Sequence, residues 1–319
     1  MKHQLIKTFS GIAAGIVICA ALTLTSSLAH AEYNPKVLRI GFQKSAGVLT
    51  LLKAQGTLEK RLLSQAVDVK WVEFPAGPQL LEGLNVGAID VGYVGEAPPI
   101  FAQAAGANFL YIGYEEASPA AEAILVPKGS PIQAVAELKG KKVALNKGSN
   151  VHYLLVKLLE KHGLKYADIQ PVFLPPADAR AAFERGSVDA WVIWDPYTAA
   201  SEKQIGARIL ADGKDVVNNY AFVLAERQFA EKGPEVVKQL FEELQKQGQW
   251  VNQNYPDAAV QIAPLQGLDT DIVEKTLRRF SNVFKPITGQ VLDEQQKLGD
   301  TFFELKLIPK PIKVKDAAL

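Results

Sequence analysis

The sequence predicts an α/β fold of two similar lobes, each a mainly parallel sheet flanked by helices, joined by a hinge of two chain crossings. Short apolar runs alternate with helical patterns, which is typical of parallel sheets. A similar pattern recurs about 100 residues later. One more strand and several helices then follow, which suggests that the chain returns to complete the first lobe.

The first lobe begins with a β-α-β-α-β pattern. In order, we predict a strand at 37–42, a helix at 48–64, a strand at 67–74, a helix at 77–87 and a strand at 89–94. The segment 67–74 alternates apolar and polar residues with period two, a strand signal. Pro78 stands in the first turn of its helix, where proline is favoured.

The second lobe repeats this order. Its predicted elements are a strand at 142–145, a helix at 151–162, a strand at 172–174, a helix at 178–185 and a strand at 188–194. The segments 87–91 and 186–190 align at a spacing of about 100 residues, and so do 74–76 and 174–176.

Residues 114–119 form a plausible crossing between the lobes. The returning chain supplies a predicted strand at 220–225 and helices near 235–253, 256–265, 270–280 and 288–305. We therefore expect lobe I to comprise 32–116 and 217–319, and lobe II to comprise 117–216.

Residues 1–31 are typical of a secretory signal peptide. Lys2 and Lys7 precede an apolar stretch at 9–24, and Ala29-His30-Ala31 forms an A-x-A cleavage site. A membrane anchor is the alternative, but a span needs about 20 apolar residues. We expect cleavage after Ala31 and an exported, soluble protein.

Cleavage changes the composition that bears on function. Cys19 and Met1 are the only Cys and Met of the chain, so the mature protein has no thiol for a disulfide, a nucleophile or a metal ligand. The mature chain has 33 Lys and Arg residues against 34 Asp and Glu, a net charge of −1. This balance gives no electrostatic case for a nucleic-acid partner.

Four predicted strand ends carry polar or small residues directly before a helix. Ligands of open parallel sheets bind beyond the carboxyl ends of the strands, and helix N-termini attract anions. The candidate ligand-binding residues are Gln43, Lys44, Ser45, Gly95, Glu96, Gly148, Ser149, Asn150, His152, Trp194 and Asp195.

Each candidate also has a purely structural interpretation. Ser149, Asn150 and Asp195 are good helix N-caps, and Lys44 is equally typical of a solvated loop. Trp191 and Trp194 should face opposite sides of their strand, so one is expected in the core while Trp194 could stack on an apolar part of a ligand.

Catalytic and cofactor motifs are absent from the sequence. It has no G-x-S-x-G, P-loop, H-E-x-x-H or G-x-G-x-x-G pattern. His152 and His162 are a poor metal-ligand pair. We expect no cofactor, and an enzyme using carboxylates alone stays a minor alternative.

Seven segments resemble the periplasmic substrate-binding proteins of ABC importers for aliphatic sulfonates, within the nitrate/sulfonate/taurine group. These segments are Leu38–Lys44, Val72–Gln79, Pro98–Ala107, Leu138–Ala144, Lys147–His152, Pro176–Phe183 and Val188–Tyr197. The resemblance covers essentially the whole mature chain.

This resemblance implies a type II binding protein that closes on its ligand. It implies an anion held by the loops at 43–45, 95–96 and 148–152, with the region of Trp194 and Asp195 closing over the other side. It further implies a small organic sulfonate as ligand, ABC permease subunits as partners, a monomeric state and a periplasmic location. A taurine, nitrate or sulfate-ester carrier is the nearer alternative, and taurine would need an acid such as Asp195 or Glu96 facing its amine.

Overall fold

The computed structural model describes residues 35–318, and the predicted signal peptide lies outside them. Two sheets organise these residues, each with helices on both faces. The first sheet has six strands in the order β11-β4-β10-β3-β1-β2. Its strands are β1 (Val37–Phe42), β2 (Asp68–Glu73), β3 (Val91–Gly95), β4 (Phe109–Glu115), β10 (Ala221–Glu226) and β11 (Phe284–Pro286).

The second sheet has five strands in the order β7-β6-β8-β5-β9. They are β5 (Glu122–Val126), β6 (Lys142–Leu145), β7 (Gln170–Phe173), β8 (Ala190–Trp194) and β9 (Arg208–Asp212). Together the two sheets confirm the α/β class and the recurrence of one pattern in two lobes.

Both sheets are mixed. The pairs β1–β2, β1–β3, β6–β7 and β6–β8 are parallel, because helical crossovers connect β1 to β2, β2 to β3, β6 to β7 and β7 to β8. Antiparallel pairs complete each sheet: β10 runs against β3 and β4, and β5 runs against β8 and β9. The sequence pattern predicted the parallel strands of both sheets and β10, whereas β4, β5, β9 and β11 were not predicted.

The helices cover both faces of each sheet. Those packed on the first sheet are α1 (Gly47–Gln55), α2 (Thr57–Leu62), α3 (Gly77–Asn85), α4 (Ala97–Ala104), α8 (Arg227–Lys232), α9 (Pro234–Gln253), α10 (Tyr255–Gln266), α11 (Thr270–Arg279) and α12 (Gly289–Glu304). Those packed on the second sheet are α5 (Asn150–Lys161), α6 (Pro176–Glu184) and α7 (Tyr197–Ile205). Each sheet with its helices is called a lobe below.

The helix predicted at 48–64 is interrupted in the structure. Gly56 has φ +60° and ends α1, and its backbone N–H bonds to the Leu52 carbonyl. Glycine adopts this left-handed conformation at no steric cost, so it commonly ends helices. A short second helix, α2, follows, and both pack in the same core.

Two segments connect the lobes, at 116–121 and 213–220; the first includes a 3-10 helix at Pro119–Ala121 and the second a turn at 214–216. They lie side by side: the Ser118 N–H donates to the Asn218 carbonyl at 3.0 Å, and Asn219 Nδ2 donates to the Ser118 carbonyl at 2.8 Å. The hinge of two crossings is therefore present. Within residues 35–318, no helix is both long enough and apolar enough to span a bilayer.

Candidate functional site

A cavity lies between the two lobes, and both of them contribute to its wall. The space open to the centre of a water-sized sphere is about 50 Å³. Its lining residues are Gln43, Ser45, Gly77, Tyr93, Gly95, Pro98, Ser118, Ser149, Asn150, Trp194, Asn219, Ala221 and Phe280. Six of the predicted ligand-binding residues are in this set: Gln43, Ser45, Gly95, Ser149, Asn150 and Trp194.

The cavity is placed where strand ends meet helix starts. Strands β1, β3, β6 and β8 each end at this level, and α1, α4, α5 and α7 begin within a few residues of them. The unsatisfied N–H groups and positive dipole ends of helices favour an anion. This arrangement confirms the predicted convergence of helix N-termini.

Uncharged polar side chains from both lobes face the cavity. Gln43 is buried, and its Nε2 lies 3.5 Å from the Tyr93 carbonyl, which is a long hydrogen bond. Ser149 stands at the N-cap position of α5 but makes no side-chain cap, and its hydroxyl donates instead to the Asn146 carbonyl at 2.7 Å. Among residues 35–318, no charged side chain lines this cavity.

Asn150 joins the two lobes beside the cavity. Its Oδ1 accepts from the Ala97 N–H at 3.1 Å, and its Nδ2 donates to Asn219 Oδ1 at 2.5 Å. A Cβ added at Gly95 would lie 2.2 Å from Asn150 Oδ1, so only glycine permits this approach. The predicted residues Gly95 and Asn150 are thus in direct contact across the lobes.

The remainder of the wall is largely apolar. Trp194 contributes from the end of β8, while Trp191 is fully buried in the core, as the strand alternation predicted. Tyr93, Pro98 and Phe280 provide further apolar surface from the first lobe. A ligand with an anionic head and an apolar portion would therefore find donors and apolar contacts in the same cavity.

Lys44 and Gly148 lie outside the cavity lining. Lys44 is exposed, and its Nζ lies 3.5 Å from the Gln266 carbonyl, which agrees with the loop interpretation. Gly148 has φ +76°, and its N–H donates to His152 Nδ1 at 3.2 Å. It shapes the loop before α5 without forming part of the wall.

His152 is fully buried among aromatic rings. Its ring stacks near Phe101 at 6.4 Å between centroids and lies 5.6 Å from Phe302 and 5.3 Å from Tyr166. Burial, together with the charge of Lys147, lowers the pKa of His152 to about 4. The structure places this neutral imidazole in a contact between α5 and the first lobe, away from the cavity.

Glu96 is buried and points away from the cavity. Its Oε2 accepts from the Tyr220 N–H at 2.9 Å, and it lines a different cavity on the other side of the crossings. Burial raises the pKa of Glu96 to about 7.

Asp195 is fully buried and already paired. Both of its carboxylate oxygens lie 3.2 Å from Arg279 Nη1, and Oδ1 accepts from the Ala199 N–H at 2.8 Å. Asp195 therefore accepts from the first turn of α7 but stands one residue before the N-cap position, which Pro196 occupies, so the N-cap prediction for Asp195 was wrong by one residue. Burial raises the pKa of Asp195 to about 6, although Arg279 and the Ala199 N–H oppose this shift.

Sequence reasoning missed seven lining residues, which are Gly77, Tyr93, Pro98, Ser118, Asn219, Ala221 and Phe280. Gly77 could have been found, because it also follows a strand end and begins a helix. Ser118 and Asn219 belong to the crossings, and Phe280 comes from the end of a distant helix, so no local pattern marks them. Within the described part of the chain, no group of three His, Cys, Asp or Glu residues could hold a metal ion.

Comparisons with known proteins agree with this architecture. The NMT1-like family model matches residues 31–265. The alkanesulfonate-binding protein SsuA of Xanthomonas axonopodis pv. citri, solved bound to MOPS, is 42% identical, with a TM-score of 0.86 over 90% of this chain and 99% of that chain. The periplasmic aliphatic sulphonate binding protein SsuA of Escherichia coli is 44% identical, with a TM-score of 0.81 over 89% of this chain and 92% of that chain.

A taurine-binding periplasmic protein of Escherichia coli is more distant, at 28% identity over 70% of this chain and 69% of that protein. The fold is that of the sulfonate-binding periplasmic proteins that it matches. The chain belongs to the NMT1-like family.

Proposed function

We propose that this protein captures an aliphatic sulfonate in the central cavity and delivers it to the permease of an ABC importer, for sulfur acquisition. The observation that carries the proposal is one cavity that combines uncharged donors, converging helix N-termini and an apolar wall with Trp194. The sulfonate-binding relatives support the same ligand class.

The chemistry of a sulfonate suits this wall. The group stays anionic at physiological pH and has three acceptor oxygens, so several N–H and O–H donors fit it better than one lysine. Burying an anion without partners costs several kcal/mol. Charge-assisted hydrogen bonds from Gln43 and Ser45, and from Ser149 once its hydroxyl turns away from the Asn146 carbonyl, would offset that cost together with the helix N-termini.

The cavity favours sulfonates without an amine over taurine. A taurine ammonium would need a carboxylate, and the two predicted acids are engaged elsewhere: Asp195 with Arg279, and Glu96 with the Tyr220 N–H. Because the relatives are binding proteins, and because no histidine of residues 35–318 lines the cavity, we propose binding without chemical turnover.

Several features complete the proposal. We propose periplasmic export with cleavage after Ala31, lobe boundaries after residues 116 and 216, and a monomeric carrier. Closure of the two lobes on the ligand would present a single docking shape to the permease.

Isothermal titration calorimetry of residues 32–319 tests the proposal, with ethanesulfonate, octanesulfonate, taurine, sulfate and nitrate as ligands. We expect 1:1 binding of the alkanesulfonates, near micromolar, and weak binding of the other three. Because Ser149 and Trp194 line the cavity, Ser149→Ala should weaken all sulfonates, and Trp194→Ala should weaken octanesulfonate most, each about tenfold or more.

Trp250→Ala is the matched control, since Trp250 lies on α9, packs against the core of the first lobe and is not part of the cavity lining. If Ser149→Ala and Trp194→Ala leave every affinity unchanged, the site is wrong. If taurine binds best, the ligand class is wrong.

A further inference from the structure

A second cavity, called the hinge cavity below, lies behind the two crossings. Neighbouring residues of the crossings face different cavities: Asn219 and Ala221 line the central one, whereas Asn218 and Tyr220 line the hinge cavity. The residues of the crossings are thus divided between the walls of the two cavities, and the crossings form the partition. The hinge cavity has a volume of about 410 Å³, which is in the range of small-molecule sites.

The lining of the hinge cavity is acidic. Glu96, Asp215 and Glu294 contribute carboxylates, and within residues 35–318 no Lys or Arg is part of the lining. Lys297 pairs with Glu294 at 3.1 Å, but this lysine is 69% exposed, and such surface pairs contribute little. The cavity therefore keeps an excess of negative charge.

Glu96 points to a missing ligand. The residue is 3% exposed, the Tyr220 N–H and the Asn219 backbone both stabilise its carboxylate, and its Oε1 makes no hydrogen bond of normal geometry among residues 35–318. Glu122 is close enough to interact electrostatically with Glu96; it is fully buried, and neither of its oxygens has a partner there. Leaving a buried acceptor unpaired destabilises the folded protein, and an N–H donor would remove that cost.

The lining favours an organic cation over a metal ion. No group of three suitable ligands exists within the described residues. Tyr153 and Tyr220 line the same cavity, and tyrosine rings attract ammonium groups and pack on alkyl chains.

We propose that the hinge cavity binds a small primary ammonium ion, with Glu96 and Glu294 as its carboxylate partners. A primary ammonium has three N–H donors and can satisfy the free Glu96 oxygen, which a quaternary ammonium cannot do. The carboxylate of Asp215 lines the same cavity and would receive a second ammonium of the same ligand.

The proposal predicts a pH dependence. Burial raises the pKa of Glu96 to about 7, and the charge of Glu294 contributes to this shift. The groups that face Glu96 are Glu122, Glu294, Tyr153 and Tyr220, with Lys297 beyond Glu294. Glu96 is therefore mostly neutral at pH 6 and mostly ionised at pH 8, so amine affinity should rise between these pH values.

The experiment is calorimetric titration of residues 32–319 with 1,4-diaminobutane at pH 6 and pH 8, at constant ionic strength. 1,4-Butanediol is the uncharged analogue of the same length, and tetramethylammonium is the cation without N–H donors. We expect 1:1 binding of the diamine, at least fivefold tighter at pH 8, and at least tenfold weaker binding of both analogues.

Glu294→Gln and Glu96→Gln should each weaken the diamine at least fivefold, and Glu96→Gln should also remove the pH dependence. Asp293→Asn is the matched control, because Asp293 is the neighbour of Glu294 on α12 and pairs with exposed Lys315 outside the cavity. Titration of Glu294→Gln with ethanesulfonate shows separately whether the central cavity and the fold are intact.

Absence of diamine binding to the unmodified protein would overturn the proposal. So would equal binding of tetramethylammonium, or equal losses in Glu294→Gln and Asp293→Asn. None of these outcomes bears on sulfonate capture in the central cavity, so failure of one proposal is distinguishable from failure of the other.

Discussion

The contact between Gly95 and Asn150 shows how single residues set the distance between the lobes. The Asn150 amide is fixed by the Ala97 N–H on one side and by Asn219 on the other. It cannot move aside without losing both hydrogen bonds, each worth about 1 kcal/mol.

Gly95→Ala should therefore hinder closure. Its Cβ would lie 2.2 Å from Asn150 Oδ1, so the lobes would have to separate or Asn150 would have to leave its partners. We expect ethanesulfonate affinity to fall at least tenfold, measured by calorimetry. Gly289→Ala is the control, since nothing lies within 4 Å of its added Cβ, and it should bind normally. Equal affinity for both variants would contradict the importance of this contact.

Sequence analysis selected residues of the cavity wall where one local rule applied. Gln43, Ser45, Ser149 and Asn150 were found because each stands between a strand end and a helix start. The same rule cannot tell which way a side chain points, so it also selected Glu96, which faces the hinge cavity. Tyr93 was missed because a tyrosine inside an apolar strand is typical of a core residue.

At the scale of elements, α7 and α11 form the main charged contact between the lobes. Arg279 bonds to Asp195 and to Glu202, and Glu202 also pairs with Lys275 at 2.9 Å. Lys203 lies 2.6 Å from Asp271. Ala199, Ala200 and Ile272 form a small apolar cluster between the same helices. The contact joins the first lobe to the second beside Trp194.

Arg279→Met should destabilise the protein strongly. It would leave the fully buried Asp195 without its cation, and breaking a buried pair typically costs about 3–5 kcal/mol. Urea unfolding measures this cost. Arg278→Met is the matched control: Arg278 is the neighbouring residue, 54% exposed, and its pair with Glu274 should contribute less than about 1 kcal/mol. Similar losses of unfolding free energy in both variants would show that the buried pair contributes no more to stability than the exposed one.

The strands that the sequence did not predict show no clear alternation of apolar and polar residues. β4 and β5 are apolar along most of their length and lie inside their sheets, so they show no period-two alternation. β9 is half-buried throughout and β11 has three residues, which is too short for a pattern. The parallel strands were found because helices of clear periodicity separate them.

At the scale of the whole molecule, buried acids control the dependence of stability on pH. The pKa of Glu96 is about 7 in the folded protein, against 4.5 for the free group. Between these values the folded state holds a proton that the unfolded state has lost. The stability that this group contributes is therefore complete below about pH 4.5 and is lost as the pH rises through 7.

When the pH is raised from 5 to 8, the stability of Glu96→Gln should consequently decline less than that of the unmodified protein. The pKa shift of Glu96 corresponds to a change of about 3 kcal/mol at most in the free energy of unfolding. Urea unfolding at both pH values measures it, with Glu304→Gln, an exposed acid on α12, as the control. His152 makes stability rise with pH, because burial lowers its pKa to about 4. This contribution is the same in the unmodified protein, Glu96→Gln and Glu304→Gln, so it does not affect their comparison. A Glu96→Gln protein with the same decline as Glu304→Gln would show that Glu96 is ionised in the fold at both pH values.

The position of β10 has a consequence for the order in which the chain can fold. β3 and β4 do not pair with each other, because β10, at residues 221–226, lies between them. During synthesis from the N-terminus, the first sheet is divided by a gap until more than 220 residues have been made. The second sheet uses only residues 122–212 and can assemble earlier. The lobe that begins the chain is thus the last to be completed, and its pairing of distant segments makes it the slower one to form.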